Sequence, residues 1–319
     1  MSYICQTPVA LIFFNRPKML SNVFDKVREA KPKKLYLIQD GPRNEDDVPK
    51  IMECRKIVEN IDWECEVIKD YSEINLGCGV RPQSGITNAL KNEESIIILE
   101  DDCVPANSFF PYCEEMLEKY KDDERICYIS GTNHFEEWDC GESDYFFAKT
   151  GAIAAWAVWR RTWSEYNDYH MKDVDINDKY YMPLIKSQIT NKYMADFRVN
   201  AWRRAKNSLD NGEKLSYWDI QWGFVKYSQN MLVIVPKYNQ ICNIGTGDGS
   251  THAASLAKQG FRKYKNFVFI PTRELEMPLK HPKYCVCDTK YDDLVYKCSA
   301  GNPIRRTIAK IVKKIIGRK

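Results

Sequence analysis

The chain has 319 residues, of which 44% are hydrophobic and 29% are charged. These proportions are ordinary for a globular protein, and the length suffices for one large α/β domain or two smaller ones. The formal net charge is +3, but residues 304–319 contain seven Lys or Arg and no acid. The rest of the chain is therefore mildly acidic, which argues against a nucleic-acid-binding protein.

The cysteines and the apolar runs indicate where the protein works. There are 12 Cys but no CxxC pair, and Cys285 and Cys287 are too close together for a zinc clip. Since residues 1–6 lack the features of a secretory signal, we expect reduced core thiols in a cytoplasmic protein. No run approaches the roughly 20 apolar residues that span a bilayer. We expect the chain to lie on a membrane at most.

Strand and helix patterns alternate through the first 130 residues. The pattern predicts strands at 8–14, 34–39, 65–69, 96–99 and 126–130. Helices are predicted at 19–30, 48–60 and 108–120, with one more that ends near residue 92. Such alternation favours right-handed βαβ units, and so an α/β fold with a mostly parallel, Rossmann-like sheet and helices on both faces. A nucleotide-binding crevice is expected where the strands end.

The second half of the chain is less regular. We predict helices over 180–207 and from 217 onward, a strand at 231–235, a glycine-rich loop at 243–252 and a proline-rich surface segment at 271–283. Trp156, Trp159 and Trp163 have the spacing of one helical or turn face. Such a face more often belongs to a core than to a platform for ligands.

Four apolar residues at 96–99 run directly into Glu100, Asp101 and Asp102. The short β-branched run predicts a strand buried on both faces, and ligands bind at the carboxyl ends of such strands. Three acids at one point repel one another, which raises at least one pKa unless a cation joins them. A divalent metal that carries a phosphate ligand is one interpretation. A polar strand end closed by a turn at Pro105 is the other.

Four further places carry residue types suited to a nucleotide site, each with a structural alternative. Asp40 could accept a hydrogen bond from a base or a ribose, or stabilise the turn that follows it. Residues 75–79 could bring backbone amides to a phosphate, or form a plain turn. Asp219, with aromatic residues on both sides, could be a general base of raised pKa or complement a helix dipole. His252 could bind a metal or a diphosphate, or be an exposed loop residue.

Together these features resemble the GT-A glycosyltransferases, and most closely the bacterial family-2-type enzymes with an N-acetylglucosaminyltransferase-I-like arrangement. The matching segments occur in the family's order and are residues 14–17, 40–43, 75–79, 99–105, 156–163, 218–222 and 243–252. The combination of Leu-Glu-Asp-Asp-Cys-Val-Pro, Trp-Asp-Ile-Gln-Trp and the Asn-Ile-Gly…Thr-His loop is the specific part. Residues 152–156 depart from the pattern, because related sequences often have Gly-Trp there.

The resemblance implies a GT-A catalytic domain over 1–275, with a nucleotide-binding half at 1–130 and an acceptor-side half at 131–275. A proline-rich extension at 276–303 would follow.

The resemblance also implies residue roles. Asp102 of a DXD-type element would bind Mn2+ or Mg2+, while Glu100 and Asp101 would meet the ribose or a metal-bound water. Asp219 would deprotonate the acceptor hydroxyl, and His252 would close on the diphosphate or the metal. Donor-binding residues on the same basis, with Asp40 reading uracil, would be Phe14, Asn15, Arg16, Asp40, Arg43, Asn75, Gly77, Gly79 and Arg81.

The activity that the resemblance implies is inverting hexosyl or N-acetylhexosaminyl transfer from a nucleotide sugar, UDP-linked by family likeness, to a saccharide hydroxyl. The acceptor of such cytoplasmic enzymes is commonly lipid-linked, in bacterial surface polysaccharide or glycan synthesis. Two alternatives stay open. One is a sugar-nucleotide nucleotidyltransferase, against which the glycine-free segment at 15–17 argues. The other is a non-catalytic carbohydrate-binding protein at a membrane surface.

Residues 304–319 predict a basic amphipathic helix. One helical face carries the apolar residues and the cations cover the remainder; the apolar residues are Ile304, Ile308, Ile311, Val312, Ile315 and Ile316. Such a helix lies in the plane of an anionic membrane, so we expect peripheral contact with the inner face of the cell membrane. The alternative is a helix that packs on the body of the protein, or on a second copy in a homodimer.

Overall fold

The computed structural model describes residues 3–166, 171–245 and 268–300. The strands are β1 (Val9–Phe13), β2 (Lys34–Gln39), β3 (Glu66–Tyr71), β4 (Ser95–Glu100), β5 (Cys103–Pro105), β6 (Ile126–Ser130), β7 (Tyr145–Ala148), β8 (Ala155–Trp159), β9 (Leu232–Pro236) and β10 (Ile241–Asn243). The helices are α1 (Pro17–Ala30), α2 (Asp47–Val58), α3 (Gly77–Leu90), α4 (Phe109–Lys119), α5 (Arg160–Ser164), α6 (Tyr181–Ser187), α7 (Lys192–Asp210), α8 (Asp219–Ser228) and α9 (Thr289–Ala300).

Eight strands form one sheet in the order β3-β2-β1-β4-β8-β6-β9-β7. The first four strands of that order are parallel, and β6 and β9 are also parallel to each other. β8 runs antiparallel to both of its neighbours, and β7 is antiparallel to β9. The protein is therefore α/β, with a large, mostly parallel sheet flanked by helices. This architecture is consistent with a Rossmann-like nucleotide-binding fold.

The sheet is buried on both faces because its central strands are apolar at every position. Along β4, Ile96 and Ile98 join one core, while Ile97 and Leu99 join the other. Successive side chains of a strand point to opposite faces, so an unbroken apolar run requires cover on both sides. Helices α3, α7, α8 and α9 cover the first face, and α1, α2 and α4 cover the second.

The elements expected in the first 130 residues are confirmed in type and order, and three expectations for the second half are corrected. Trp156 and Trp159 lie on β8 rather than on a helical face. Because their separation is odd, Trp156 enters one core and Trp159 the other. Both are buried, as is Trp163, which confirms the core interpretation.

The other two corrections concern helices. The expected helix at 180–207 is divided into α6 and α7, because Asn191 caps the second helix by accepting a hydrogen bond from the Met194 amide at 3.1 Å. The expected proline-rich extension contains α9, whose Tyr291 and Tyr296 are buried in the main core. No helix among the described residues combines the length and the apolar character needed to cross a bilayer.

Asp292 connects α9 to the loop after β7. Its carboxylate is 3% exposed and accepts hydrogen bonds from the Lys149 and Thr150 amides at 2.9 and 2.8 Å, and from the Thr150 hydroxyl at 2.6 Å. Removal of a buried acceptor leaves its donors without partners. A buried donor without a partner lowers the free energy of unfolding more than the loss of both partners does.

We expect Asp292→Ala to lower the free energy of unfolding by about 2–4 kcal/mol, since two buried amides and a hydroxyl lose their acceptor. Urea denaturation followed by circular dichroism measures the change. Lys297→Ala, at an exposed position of the same helix, is the control and should alter stability by less than about 0.5 kcal/mol. An equally small effect of Asp292→Ala would show that α9 is not anchored through this carboxylate.

Candidate active site

Polar loops meet at the carboxyl ends of β1, β2 and β4, which are neighbours in the sheet. The loop after β1 contributes Phe14, Asn15 and Arg16, and the turn after β4 contributes Asp101 and Asp102. Parallel strands place their carboxyl ends along one edge, so these loops share a single crevice. The sequence analysis expected this gathering, and the sheet order brings it about.

The three consecutive acids Glu100, Asp101 and Asp102, called the acid run below, lie close together and have little contact with water. Asp101 and Asp102 are only 3% and 8% exposed. Burial, and then the charges of Asp102 and Asp101, raise the pKa of Glu100 well above its ordinary value. Asp219 adds to this rise in pKa, so its carboxylate lies close enough to Glu100 to act on it electrostatically.

Arg16 is the positively charged residue that pairs with the acid run. Its Nε and Nη2 atoms donate to the two oxygens of Asp101, and its Nη1 donates to Asp102 Oδ2 at 2.9 Å. Burial opposes the charge on Arg16, but the charges of Asp101 and Asp102 prevail and raise its pKa. Burial raises the pKa of Asp101 to about 6 even though Arg16 works in the opposite direction.

These contacts change the role expected for Asp101. The Phe14 amide also donates to Asp101, at 3.4 Å, so this carboxylate ties the loop after β1 to the end of β4. Asp101 makes an anchoring contact in this structure, and its expected contact with ribose stays a prediction. Glu100 and Asp102 are the two carboxylates of the run that lie together with Cys103 in the group of potential metal ligands.

One group of potential metal ligands occurs in the described parts of the chain. A carboxylate oxygen of Glu100, one of Asp102 and the Cys103 sulfur lie within 4.8 Å of one another. Burial raises the pKa of the Cys103 thiol well above its usual value, so the sulfur stays protonated and donates to Asp102 Oδ1 at 3.2 Å. The two carboxylates suit a hard divalent cation such as Mn2+ or Mg2+, whereas a neutral thiol does not.

The ribbon of β5 and β10 positions Asp102 from the opposite side. The Ile244 amide donates to the Asp102 carbonyl at 2.8 Å, and Asn243 Nδ2 donates to the Cys103 sulfur at 3.4 Å. A Cβ atom on Gly245 would lie 2.0 Å from Asp102 Oδ2, so only glycine fits there. The sequence analysis did not assign this supporting role to residues 243–245, although it noted them as a motif.

Asp40 organises the neighbouring loop with its whole carboxylate. Its oxygens accept hydrogen bonds from the Leu76 and Gly77 amides, both at 2.8 Å, and from Asn75 Nδ2 at 3.1 Å. Gly77 has a φ of 80°, a conformation that glycine adopts without strain. Asp40 thus holds the start of α3, and the expected reading of uracil by this carboxylate would compete with those bonds.

Arg81 is likewise committed to the fold. It is 4% exposed, and it donates to the Gln39 carbonyl at 3.0 Å and pairs with Asp70 at 2.7 Å. The guanidinium is engaged between β2 and β3, so the expected contact with a diphosphate stays a prediction and would require these bonds to break. Gly79 is also buried, in the first turn of α3.

Asp47, which the sequence analysis missed, gathers the candidate base-binding residues. It pairs with Arg43 through two hydrogen bonds of 2.8 Å and accepts another from Asn15 at 2.6 Å. The bond to Arg43 holds the pKa of Asp47 far below its usual range. The Arg43 guanidinium lies over the Phe14 ring, 5.1 Å from its centroid. An acid four residues after an Arg, at a helix start, was the available signal.

Asp219 begins α8 and is exposed to solvent. The expected desolvation of this carboxylate by its flanking tryptophans does not occur. Trp218 and Trp222 are 5% and 1% exposed and point into the core, where Trp218 stacks on Trp156 at 5.9 Å. The buried tryptophans fix the position of the helix start, and the Asp219 carboxylate lies at the surface.

His252 and residues 304–319 lie outside the described residues. The assignment of His252 to the metal or the diphosphate, and of the tail to a membrane, therefore stays a prediction from sequence.

No protein-family model and no curated protein sequence matches the chain. Distant likeness is found among solved structures. UDP-glucose pyrophosphorylase complexed with UDP-glucose is 10% identical, with 79% of this chain and 99% of that chain covered and a TM-score of 0.37. A 4-diphosphocytidyl-2C-methyl-D-erythritol synthase from Anaerococcus prevotii is 11% identical, with 79% and 99% covered and a TM-score of 0.36. Similarity at this level concerns the fold and says nothing about activity.

We expect Gly245→Ala to weaken Mn2+ binding by about tenfold or more, since the new Cβ would displace the Asp102 carboxylate. Isothermal titration with MnCl2 measures the affinity. Gly223→Ala in α8, where a Cβ meets no atom within 4 Å, is the matched control. Equal affinities in the two variants would separate Gly245 from the metal site.

Proposed function

We propose that the protein is a metal-dependent, inverting glycosyltransferase that moves a sugar from a UDP-linked donor to a saccharide hydroxyl. The observation that carries this proposal is the position of Asp219. An exposed carboxylate at the start of α8 lies within electrostatic range of the acid run at the end of β4, where its charge contributes to the raised pKa of Glu100. A base opposite a cation site is what single displacement at an anomeric carbon requires.

The donor is proposed to bind along the ends of β1, β2 and β4. Glu100 and Asp102 would hold Mn2+ or Mg2+, which when bound neutralises the charge of the departing diphosphate. Phe14 and Arg43 offer a flat, cationic surface for the base, and Asp47 fixes the direction of Arg43. Asn75 and the start of α3 border this surface, and the Asp40 carboxylate accepts hydrogen bonds from the Leu76 and Gly77 amides there.

Asp219 would accept the proton of the acceptor hydroxyl. The acceptor oxygen then forms a bond to the anomeric carbon while the bond from that carbon to the diphosphate oxygen breaks. The bonding electron pair leaves with the diphosphate, so the configuration at the anomeric carbon is inverted. The exposure of Asp219 suits this role, because an acceptor must reach it from solvent.

A sugar-nucleotide nucleotidyltransferase is the second candidate. It is the class for which the two structural neighbours are named, and it too would use acids at the end of a parallel strand. The loop between β1 and α1 opposes it: Asn15 and Arg16 lead directly into Pro17, without the glycine-rich phosphate loop expected of that class. The fold is compatible with both activities, so the two candidates must be distinguished by the reaction products that the protein releases.

The products separate the candidates in one set of assays. Thermal-shift measurements with a panel of nucleotide sugars, with and without Mn2+, first identify the donor. A glycosyltransferase then releases UDP from that donor, in slow hydrolysis or with an acceptor. A nucleotidyltransferase releases pyrophosphate from UTP and a sugar 1-phosphate. Binding without either product would favour the carbohydrate-binding alternative.

We expect Asp219→Asn to keep donor affinity and to lose about 10²–10⁴-fold in turnover, the usual contribution of a general base. UDP release from the identified donor measures turnover, and titration with UDP measures affinity. Asp210→Asn, an exposed acid at the end of α7, is the matched control. Near-normal turnover in Asp219→Asn would remove this residue from the mechanism.

The proposed acceptor is lipid-linked, which requires contact with a membrane surface. We expect deletion of residues 304–319 to abolish sedimentation with vesicles that contain anionic lipid, because the cations and the apolar face of that segment are both lost. Vesicles of neutral lipid serve as the control. Undiminished sedimentation of the truncated chain would place membrane binding elsewhere or exclude it.

A further inference from the structure

Arg16 contacts one of the carboxylates that would hold a metal, that of Asp102. The Asp102 carboxylate has two oxygens, and both are engaged: Oδ1 accepts from the Cys103 thiol at 3.2 Å and Oδ2 accepts from Arg16 at 2.9 Å. A cation that binds Asp102 through Oδ2 must displace the guanidinium from it. Arg16 therefore supplies a cation to the Asp102 carboxylate from within the protein.

The contacts of Arg16 fall into two separable parts. Nε and Nη2 face Asp101 side by side, a bidentate arrangement in which a guanidinium and a carboxylate match in geometry. Nη1 alone reaches Asp102. The contact with Asp102 can therefore break while the bidentate pair with Asp101 persists, and Nη1 is then free to donate to another anion.

Burial explains why such a cation is needed. Three carboxylates with little access to water repel one another, and a buried charge without a partner is strongly unfavourable. Among the described residues, Arg16 is the cation that contacts the acid run. Without it, the end of β4 would carry uncompensated charge whenever no metal is present.

We propose that Arg16 is an internal counter-ion that competes with the metal for Asp102 and moves its Nη1 to the diphosphate when metal and nucleotide arrive together. This inference rests on the proposed function for its second half, since it takes the anion to be a nucleoside diphosphate. Its first half, competition at Asp102, depends only on the contacts described above.

The competition couples the two ligands. Metal alone must displace Arg16 with no compensation, so it binds weakly. A diphosphate gives Nη1 a new acceptor, which removes the competitor from Asp102 and strengthens metal binding. By linkage, the metal strengthens nucleotide binding by the same factor.

The test measures Mn2+ affinity by isothermal titration of the full chain, with and without UDP. In Arg16→Gln, Mn2+ alone should bind about tenfold or more tightly than in the wild type, because a charge-assisted hydrogen bond no longer opposes it. Arg16→Lys keeps a cation but lacks the bidentate geometry, and its affinity should lie between the two. Lys18→Gln removes an exposed positive charge two residues away and should leave the affinity close to wild type.

The melting temperature provides a second measurement, which can be interpreted even if the Arg16→Gln variant is less stable than the wild type. Arg16→Gln should melt at a lower temperature than the wild type without metal, since two acids lose their partner, and Mn2+ should raise its midpoint more than it raises that of the wild type. Unchanged or weaker binding of Mn2+ alone in both Arg16 variants would overturn the competition.

The titrations in the presence of UDP distinguish a failure of this proposal from a failure of the proposed function. UDP should strengthen Mn2+ binding much more in the wild type than in Arg16→Gln, and equal strengthening would overturn the movement of Nη1. If no variant binds UDP while Arg16→Gln still binds Mn2+ more tightly, the competition stands and the nucleotide-sugar function fails.

Discussion

The concentration of negative charge at the end of β4 is the constraint on which the rest of the site depends. An apolar strand that is buried on both faces delivers three carboxylates into a crevice with little water. Such a cluster is tolerable only with a cation beside it, and the loop after β1 supplies Arg16. The adjacency of β1 and β4 in the sheet is what makes this pairing possible.

The surrounding polar residues mostly hold one another in place. Asp40 binds the amides that begin α3, Arg81 joins β2 to β3, and Asp47 fixes Arg43. Each of these groups has its hydrogen bonds satisfied within the protein, so none of them is an idle functional group waiting for a ligand. The crevice is a preformed arrangement in which few side chains remain to meet substrate.

The sequence was sufficient to predict the α/β fold and the edge of the sheet that forms the crevice. Uninterrupted apolar runs and alternating helix patterns are local signals in the sequence. They suffice to predict the order of strands and helices and the edge of the sheet where the strands end. The β5–β10 ribbon was beyond reach because each strand has three residues, too few for a periodic pattern. The tryptophans of β8 were misjudged for a related reason, since a spacing of three fits either a helix or the two faces of a strand.

The residue types predicted where the site lies better than they predicted what each side chain does there. Asp40 and Arg81 belong to chemically suitable types at suitable strand ends, but their partners come from Asn75, Leu76 and Asp70, which only the folded chain brings near. The direction of a side chain decides whether it serves a ligand or the scaffold. Asp219 illustrates the opposite case, because its neighbours turn inward and leave it exposed.

The antiparallel strand β8 lies between β4 and β6 and pairs with both. It joins the strand that carries the acid run to the strands of the second half by continuous backbone hydrogen bonds. A sheet without a break at this point has no hinge, so the two halves do not open and close as separate lobes. On the proposed function, exchange of substrates and products would be governed by the loops at the ends of the strands, and changes in these loops would alter specificity while the sheet keeps its geometry.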